Sequence, residues 1–352
     1  MIKPIDKNAI TIVFAPDNRY CKYFSVALQS LIDNAASDRF YDIVILATDI
    51  SDRNKRLLLG MLPKNFSLRF FDVSDFVKEQ LGGLKLTAKN HWSVNTFYRL
   101  FIPMLMPEYE KVLYLDADIC ILDSLTGLFD TNFDNKQMIA VRDCDAPLFY
   151  KDTKRVDQIL NILKMQQTDN YFNAGMTFFN LKNIEVKDYL NKLIQAFKSE
   201  KLFYLDQDIL NVIFEHTTKL VHCKWNFQYH IPMYHPDYLD IITGEEKEEY
   251  VSASQNPCII HYTSSIKPWS YPKEELAEYF WEYARKSPFY EEILYENLVT
   301  KNSLKLFWQR NKIRLTLAKC NLFSKISTGA KRLHYQAKAV RYGRMLKEIQ
   351  TL

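Results

Sequence analysis

Glycine is scarce in this chain: 8 residues in 352, none of them in a G-x-G-x-x-G or G-K-[ST] arrangement. That excludes the dinucleotide fingerprint and the P-loop as phosphate-binding devices. Long apolar runs are missing too. Leu100–Met106, one of the longest, contains Pro103 and falls far short of the roughly 20 residues a membrane-spanning helix needs. The opening MIKPIDKN has no apolar core, so no secretory leader is expected. The six cysteines are scattered singly, without a C-x-x-C. This argues against a zinc site or a disulfide frame and predicts reduced thiols in the cytosol. No internal repeat or low-complexity linker is visible.

Hydrophobic residues make up 47 % and charged residues 25 %, enough for a sizeable core. Acidic residues almost vanish near the end. From Lys301 to Leu352 there are 13 Lys and Arg against the single acid Glu348, a net of +12. The first 300 residues carry 33 basic and 41 acidic side chains, a net of −8.

Continuous apolar segments read as buried strands: Ile10–Pro16, Asp42–Asp49, Leu68–Val73, Val112–Leu115, Met176–Phe179 and the short CII before His261. Helical patterns alternate with them at Tyr23–Ile32, Asp52–Leu62, Asn95–Ile102, Val186–Phe197 and Tyr204–Phe214. Helices dominate from about Lys273. This alternation predicts an α/β fold with a mainly parallel sheet covered on both faces. Ligands on such sheets bind beyond the carboxyl ends of the strands. Asp17 follows the first strand there, and Asp116 and Asp118 follow the fourth.

The stretch KVLYLDADIC ends an apolar strand in two aspartates one residue apart. A carboxylate pair at a buried strand end is costly unless a cation meets it. D-x-D also occurs at Asp143/Asp145 and Asp206/Asp208, where a turn or helix cap is the ordinary explanation. Hard carboxylate oxygens suit Mg²⁺ or Mn²⁺, and both usually coordinate substrate phosphates as well. His261, also at a strand end, is either a satisfied structural residue or a further ligand that would favour Mn²⁺. Lys267, six residues on, could face a phosphate. Asn173 in FNAG is either a turn residue or an amide for sugar hydroxyls. Asp206 and Gln207 stand at an expected helix start, where Asp208 could be only a cap. Arg99 faces either solvent or phosphate.

The ordered motifs VFAPDNRY, HWSVNTFYRL, KVLYLDADI, YFNAG, LDQDILN and IHYTSSIKPW resemble glycosyltransferase family 8 over roughly residues 10–285. These are retaining transferases that use a nucleotide-sugar donor. IHYTSSIKPW and the basic tail look most like the bacterial members that build lipopolysaccharide or lipooligosaccharide cores. The resemblance implies a GT-A-type fold, a single Rossmann-like mixed sheet with a metal site. Asp116, Asp118 and His261 match the family's manganese ligands, with Mg²⁺ as the alternative ion. Lys267, His91 and Ser264 match positions at the diphosphate, and Ala15, Asp17, Arg19 and Tyr20 match the nucleotide site. Arg99, Asn173, Ala174, Asp206 and Gln207 match residues around the donor sugar, and Asp143 an acidic position facing the acceptor. Arg19 replaces an Asn of some relatives. Ser264 replaces a Gly common in bacterial members, adding a side chain where the backbone must come close.

The resemblance implies a UDP-hexose-dependent retaining hexosyltransferase, using UDP-galactose or UDP-glucose and a saccharide acceptor that is expected to be lipid-linked. Gln207 is a poor nucleophile with Asp206 beside it, so attack from the leaving-group face fits better than a double displacement. A self-glucosylating glycogenin-like enzyme and a non-catalytic nucleotide-sugar-binding protein are the alternatives. Residues 1–290 are expected to form the catalytic domain. Residues 291–352 are expected to form a basic amphipathic helical tail, with Phe307, Trp308, Arg310, Lys312 and Arg314 interleaved, on an anionic membrane surface. No nucleic-acid fold accompanies the tail. The expected place is cytoplasmic, peripheral on the inner face of the cytoplasmic membrane. His235–Pro257 is expected to be an acceptor-side or active-site loop.

Overall fold

Every side chain of β1 (Ile10–Phe14) and β2 (Tyr41–Leu46) is buried, the pattern of strands covered on both faces. The one charge in them, Asp42, is met at the edge by Arg69 Nε at 3.0 Å and Ser67 Oγ at 2.7 Å. The computed structural model describes residues 1–81, 94–197, 202, 204–235, 237–302 and 304–350. His91 lies outside these residues.

The remaining strands are β3 (Phe66–Phe71), β4 (Lys111–Leu115), β5 (Ile119–Ile121), β6 (Met138–Arg142), β7 (Phe172–Asn180), β8 (Thr218–Leu220) and β9 (Ile259–His261). Seven of the strands form one sheet in the order β3-β2-β1-β4-β7-β6-β8, while β5 and β9 pair separately. The first four are mutually parallel, β7 runs antiparallel to both β4 and β6, and β8 is parallel to β6. The sheet is therefore mixed and mainly parallel.

Among helices of eight or more residues, α1 (Cys21–Asp33), α2 (Asp52–Leu59) and α3 (Ser74–Leu81) alternate with the first strands. Next come α4 (Val186–Phe197), α5 (Leu205–Phe214), α6 (Gly244–Gln255), α7 (Ala277–Ala284) and α8 (Tyr290–Asn302). The long pair α9 (Leu304–Ile326) and α10 (Gly329–Gln350) comes last. Contacts divide the molecule into Met1–Tyr290 and Glu291–Leu352.

Several elements differ from expectation. The helix foreseen at Asn95–Ile102 is a 3-10 helix over Val94–Phe101, followed by one α-turn, Ile102–Leu105. Pro103 there places its missing N–H at the helix start, where it is harmless. His235–Pro257 is largely helical: it contains the short helix Tyr238–Ile241 and α6. Strand β7 begins four residues earlier than Met176, so Asn173 and Ala174 are strand residues and not a preceding turn.

That extension matters. The β6–β7 register shifts between Ala140, opposite Thr177, and Val141, opposite Asn173. Ala174, Gly175 and Met176 thus have no partner on β6. A bulge of this kind re-aims side chains, here beside the end of β4, where Leu115 pairs with Met176.

In the second unit, α9 and α10 pack on each other with Phe323 stacked on Tyr335 at 5.3 Å. Gly329 (φ +57°) takes the left-handed conformation at the turn into α10. Cations and apolar residues are distributed around both helices, so neither helix has the segregated faces of the amphipathic tail foreseen. The side chains of Phe307, Trp308 and Arg310 lie outside the described ones. Among the described residues no helix is long and apolar enough to cross a membrane.

Candidate active site

Three main-chain pairings bring the site together. Asp116 N–H donates to Gly175 O at 2.8 Å, extending the β4–β7 ladder to the first aspartate. Ile119 of β5 lies opposite His261 of β9, and Tyr262 N–H donates to Asp118 O at 3.0 Å. Phe227 joins β9 from the other side, donating to Ile259 O at 2.8 Å and accepting from His261 N at 2.9 Å. Residues from 32 to 144 positions apart in sequence thus meet at one strand end.

Each aspartate has one oxygen occupied by the protein. Asp116 Oδ1 accepts from Arg99 Nη2 at 2.7 Å and Tyr114 Oη at 2.9 Å. Asp118 Oδ2 accepts from Lys267 Nζ at 2.6 Å. The other oxygens, Asp116 Oδ2 and Asp118 Oδ1, face His261 Nε2 at 3.6 and 3.4 Å. These separations exceed a good N–H···O bond. One nitrogen and two carboxylate oxygens therefore converge without satisfying one another, a hard donor set that fits Mn²⁺ or Mg²⁺.

Electrostatics favour a charged Asp118. Burial works against the Asp118 carboxylate, but its neighbours, the Lys267 ammonium first among them, outweigh it and hold its pKa well below the usual range. Burial would likewise lower the Arg99 pKa, yet Asp116, Tyr114 and Asp206 more than offset it. Arg99 is buried over the Tyr114 ring, 4.3 Å to the centroid, with Nη1 donating to Ala174 O at 2.7 Å. Its Nε lies 2.9 Å from Asp206 Oδ2. Arg99 is thus neither solvent-facing nor free: it ties Asp116 to Asp206. Burial, opposed by Arg99 and reinforced by Asp116, pushes the Asp206 carboxyl up to about 7.

Leu205, just before Asp206 and Gln207, has φ +43°. A leucine there is strained by about 1–2 kcal/mol, at the residue that turns the chain into α5. Gln207 Oε1 accepts from Ala174 N–H at 3.0 Å and Asn173 Nδ2 at 3.2 Å, while its Nε2 donates to Asp143 Oδ2 at 3.0 Å. Asn173 Nδ2 also reaches Asp143 Oδ2 at 3.2 Å. Asp145, two residues on, donates its N–H to Asp143 Oδ1 at 2.9 Å. Asp208 is more than a cap. Fully buried, it accepts from Tyr204 N, Tyr171 Oη, Arg155 Nη2 and Gln158 Nε2 at 2.6–3.1 Å.

The positions expected on the nucleotide side lie beside β1. Ala15 packs against the core at the strand end. Asp17 Oδ1 accepts from Tyr20 N at 2.8 Å, and exposed Arg19 stands 3.6 Å from Asp17. The Tyr20 ring meets Trp269 edge-on at 5.8 Å. Burial, then Asp118 and Asp116, raise the pKa of its hydroxyl. Ser264 turns its hydroxyl back onto Ile266, accepting from Ile266 N at 3.0 Å and donating to Ile266 O at 3.1 Å. The added side chain is thus absorbed within its own turn.

Sequence reasoning passed over three residues of this site. Tyr114 holds Asp116. Gly175 lies under His261, where a Cβ would stand 2.0 Å from Cε1. Asn226 Oδ1 lies 2.8 Å from His261 Nδ1. Only Gly175 carried a usable signal, as one of 8 glycines in the chain and within a strand.

A mixed, mainly parallel sheet with this carboxylate and imidazole cluster at its strand ends is a GT-A-like architecture. The chain belongs to glycosyl transferase family 8, whose family model matches residues 11–273. It is 26 % identical to the lipopolysaccharide 1,2-glucosyltransferase of Escherichia coli over 86 % of each chain. To the lipopolysaccharide 1,3-galactosyltransferase of Salmonella typhimurium it is 26 % identical over 58 % of each. The solved galactosyltransferase LgtC, in complex with donor and acceptor sugar analogues, superposes with TM-score 0.63 at 27 % identity, covering 79 % of this chain and 96 % of LgtC. The bifunctional glycosyltransferase WbbM gives 0.74 at 28 % identity, covering 84 % of this chain and 52 % of its own.

Gly175→Ala must displace the His261 ring. It is expected to weaken Mn²⁺ binding about 10- to 100-fold, measured by paramagnetic resonance titration of the free ion, with circular dichroism unchanged. Unaltered affinity would mean that His261 does not depend on this close approach.

Proposed function

We propose that the protein is a retaining α-glycosyltransferase that moves a hexose, galactose or glucose, from a UDP-sugar to a saccharide acceptor. The acceptor class is the lipopolysaccharide or lipooligosaccharide core, a reading supported by the names of its relatives. The observation that carries it is the convergence of Asp116 Oδ2, Asp118 Oδ1 and His261 Nε2 beside Lys267.

Asp116, Asp118 and His261 would hold Mn²⁺, or Mg²⁺. Bound there, the ion supplies Lewis-acid neutralisation of the diphosphate leaving group. Lys267, now resting on Asp118, is the ammonium within reach of the same diphosphate. His91 and the Ser264 turn serve that side as well. Asp17 and Tyr20 meet the uracil, with Ala15 and Arg19 flanking the nucleotide. Arg99, Asn173, Ala174, Asp206 and Gln207 surround the sugar, and Asp143 faces the acceptor.

The occupied oxygens bear on the stereochemistry. Gln207 Oε1 already accepts two hydrogen bonds, and Asp206 is tied to Arg99 with its carboxyl raised to about 7. Neither is a ready nucleophile near neutrality. Attack of the acceptor hydroxyl on the face the UDP leaves, with a departing phosphate oxygen taking its proton, retains the α-configuration without a covalent enzyme adduct.

The second unit would attach the enzyme to an anionic membrane surface on the cytoplasmic side. Thirteen cations bring roughly 1 kcal/mol for each one near the surface. Exposed Leu315, Leu322, Ile326, Leu333 and Val340 add apolar contacts. Because cations lie on all faces, attachment is mainly electrostatic rather than by inserting one apolar face.

Two measurements check this reading. Release of UDP from UDP-glucose and UDP-galactose should require Mn²⁺, and Asp118→Ala should lose at least ~3–4 kcal/mol of transition-state stabilisation, a rate loss of roughly 10²–10³ or more. Metal-independent release, or an active Asp118→Ala, would contradict it. Truncation after residue 290 should abolish recovery with anionic vesicles and preserve turnover of small soluble acceptors. Equal vesicle recovery with and without the tail would remove the membrane role.

A further inference from the structure

A chain of buried amides runs behind the metal-facing imidazole, and its orientation is set by main-chain groups. Gly175 N–H donates to Asn173 Oδ1 at 2.9 Å. A backbone N–H can only donate, so this atom of Asn173 must be the oxygen. The other end of that amide agrees, since Asn173 Nδ2 faces the Asp143 carboxylate at 3.2 Å, and a carboxylate accepts. Asn226 Nδ2 then donates to the same Asn173 Oδ1 at 3.0 Å. The remaining end of Asn226, its Oδ1, lies 2.8 Å from His261 Nδ1. An amide oxygen cannot donate, so His261 must carry a proton on Nδ1. Asn226 is fully buried and His261 nearly so, which keeps bulk solvent from competing for these contacts.

We propose that Asn226 is a positioning residue that keeps the His261 proton on Nδ1 and turns a bare Nε2 toward Asp116 and Asp118. Left to its two carboxylate neighbours, a neutral imidazole would place its proton on Nε2 and donate to them. That tautomer has no lone pair for a metal on the nitrogen facing the aspartates. The amide chain selects the opposite tautomer, which is repelled by the carboxylates until a cation sits between them. Asn173 also touches Gln207 and Asp143, so the same amide that orients the metal ligand orients the sugar-side residues. Gly175 is doubly required: its N–H anchors the chain, and its missing Cβ admits the ring.

The proposal rests on the metal reading of Asp116, Asp118 and His261, and its test separates the two. Spectra of ¹⁵N-histidine-labelled, metal-free protein, taken at alkaline pH where imidazole is neutral, report the tautomer directly. The wild type should show His261, assigned by its loss in His261→Gln, protonated at Nδ1 and bare at Nε2. Asn226→Leu should move the proton to Nε2 and weaken Mn²⁺ binding about 10- to 100-fold. Asn226→Asp, which keeps an acceptor, should restore the Nδ1 proton. A wild-type His261 protonated at Nε2 would overturn the proposal without recourse to any variant, as would an Asn226→Leu protein with the wild-type tautomer and affinity. A wild type with the Nδ1 proton that binds no Mn²⁺ would uphold the relay and overturn the metal reading alone.

Discussion

Two carboxylates at the end of a buried strand are tolerable only if positive charge meets them, and much of the surrounding structure answers that demand. Arg99 and Tyr114 take one oxygen of Asp116, and Lys267 takes one of Asp118. These contacts leave the remaining oxygens aimed at a common point. A merely structural pair would be expected to have all its oxygens satisfied by protein donors. Here the remaining pair faces His261 Nε2 at 3.6 and 3.4 Å. The β7 bulge, the glycine within it and the β5–β9 pairing serve the same convergence.

The constraint also ties the site's functions together. Arg99 links Asp116 to Asp206, and Asn173 links the imidazole's support to Gln207 and Asp143. Asp116, Asp206, Asn173, Gln207 and Asp143, together with Asn226 behind the imidazole, therefore belong to one closely linked frame. A change at one member should disturb the others, and single substitutions in this frame will not be additive.

Much of this is legible in the chain. Apolar runs such as ITIVF and KVLYL announce buried strands, and their alternation with helical patterns announces the sheet. The aspartates stand out because an apolar strand delivers them. Contact across long sequence separation is what cannot be read. Nothing in KWNF marks Asn226, because its partner His261 is 35 residues away and β9 must form for the two to meet. Asn173 reads as a turn because FNAG has a turn's composition. Its pairing with Val141, beyond the bulge, keeps it in the strand, and only the register reveals that. Arg99 resists placement because its burial depends on Tyr114 and Ala174, both outside its own helix. In the tail, net charge is visible, but the even spread of cations around α9 and α10 undoes the amphipathic reading.

Asp116, Asp118 and His261 are proposed to hold a divalent ion together. Electron spin echo modulation of Mn²⁺ bound in the presence of UDP tests it most directly, because it detects a directly coordinated nitrogen. A ¹⁴N coupling in the wild type that disappears in His261→Gln is the predicted result. Bound Mn²⁺ with no nitrogen coupling, or one that survives His261→Gln, would contradict it.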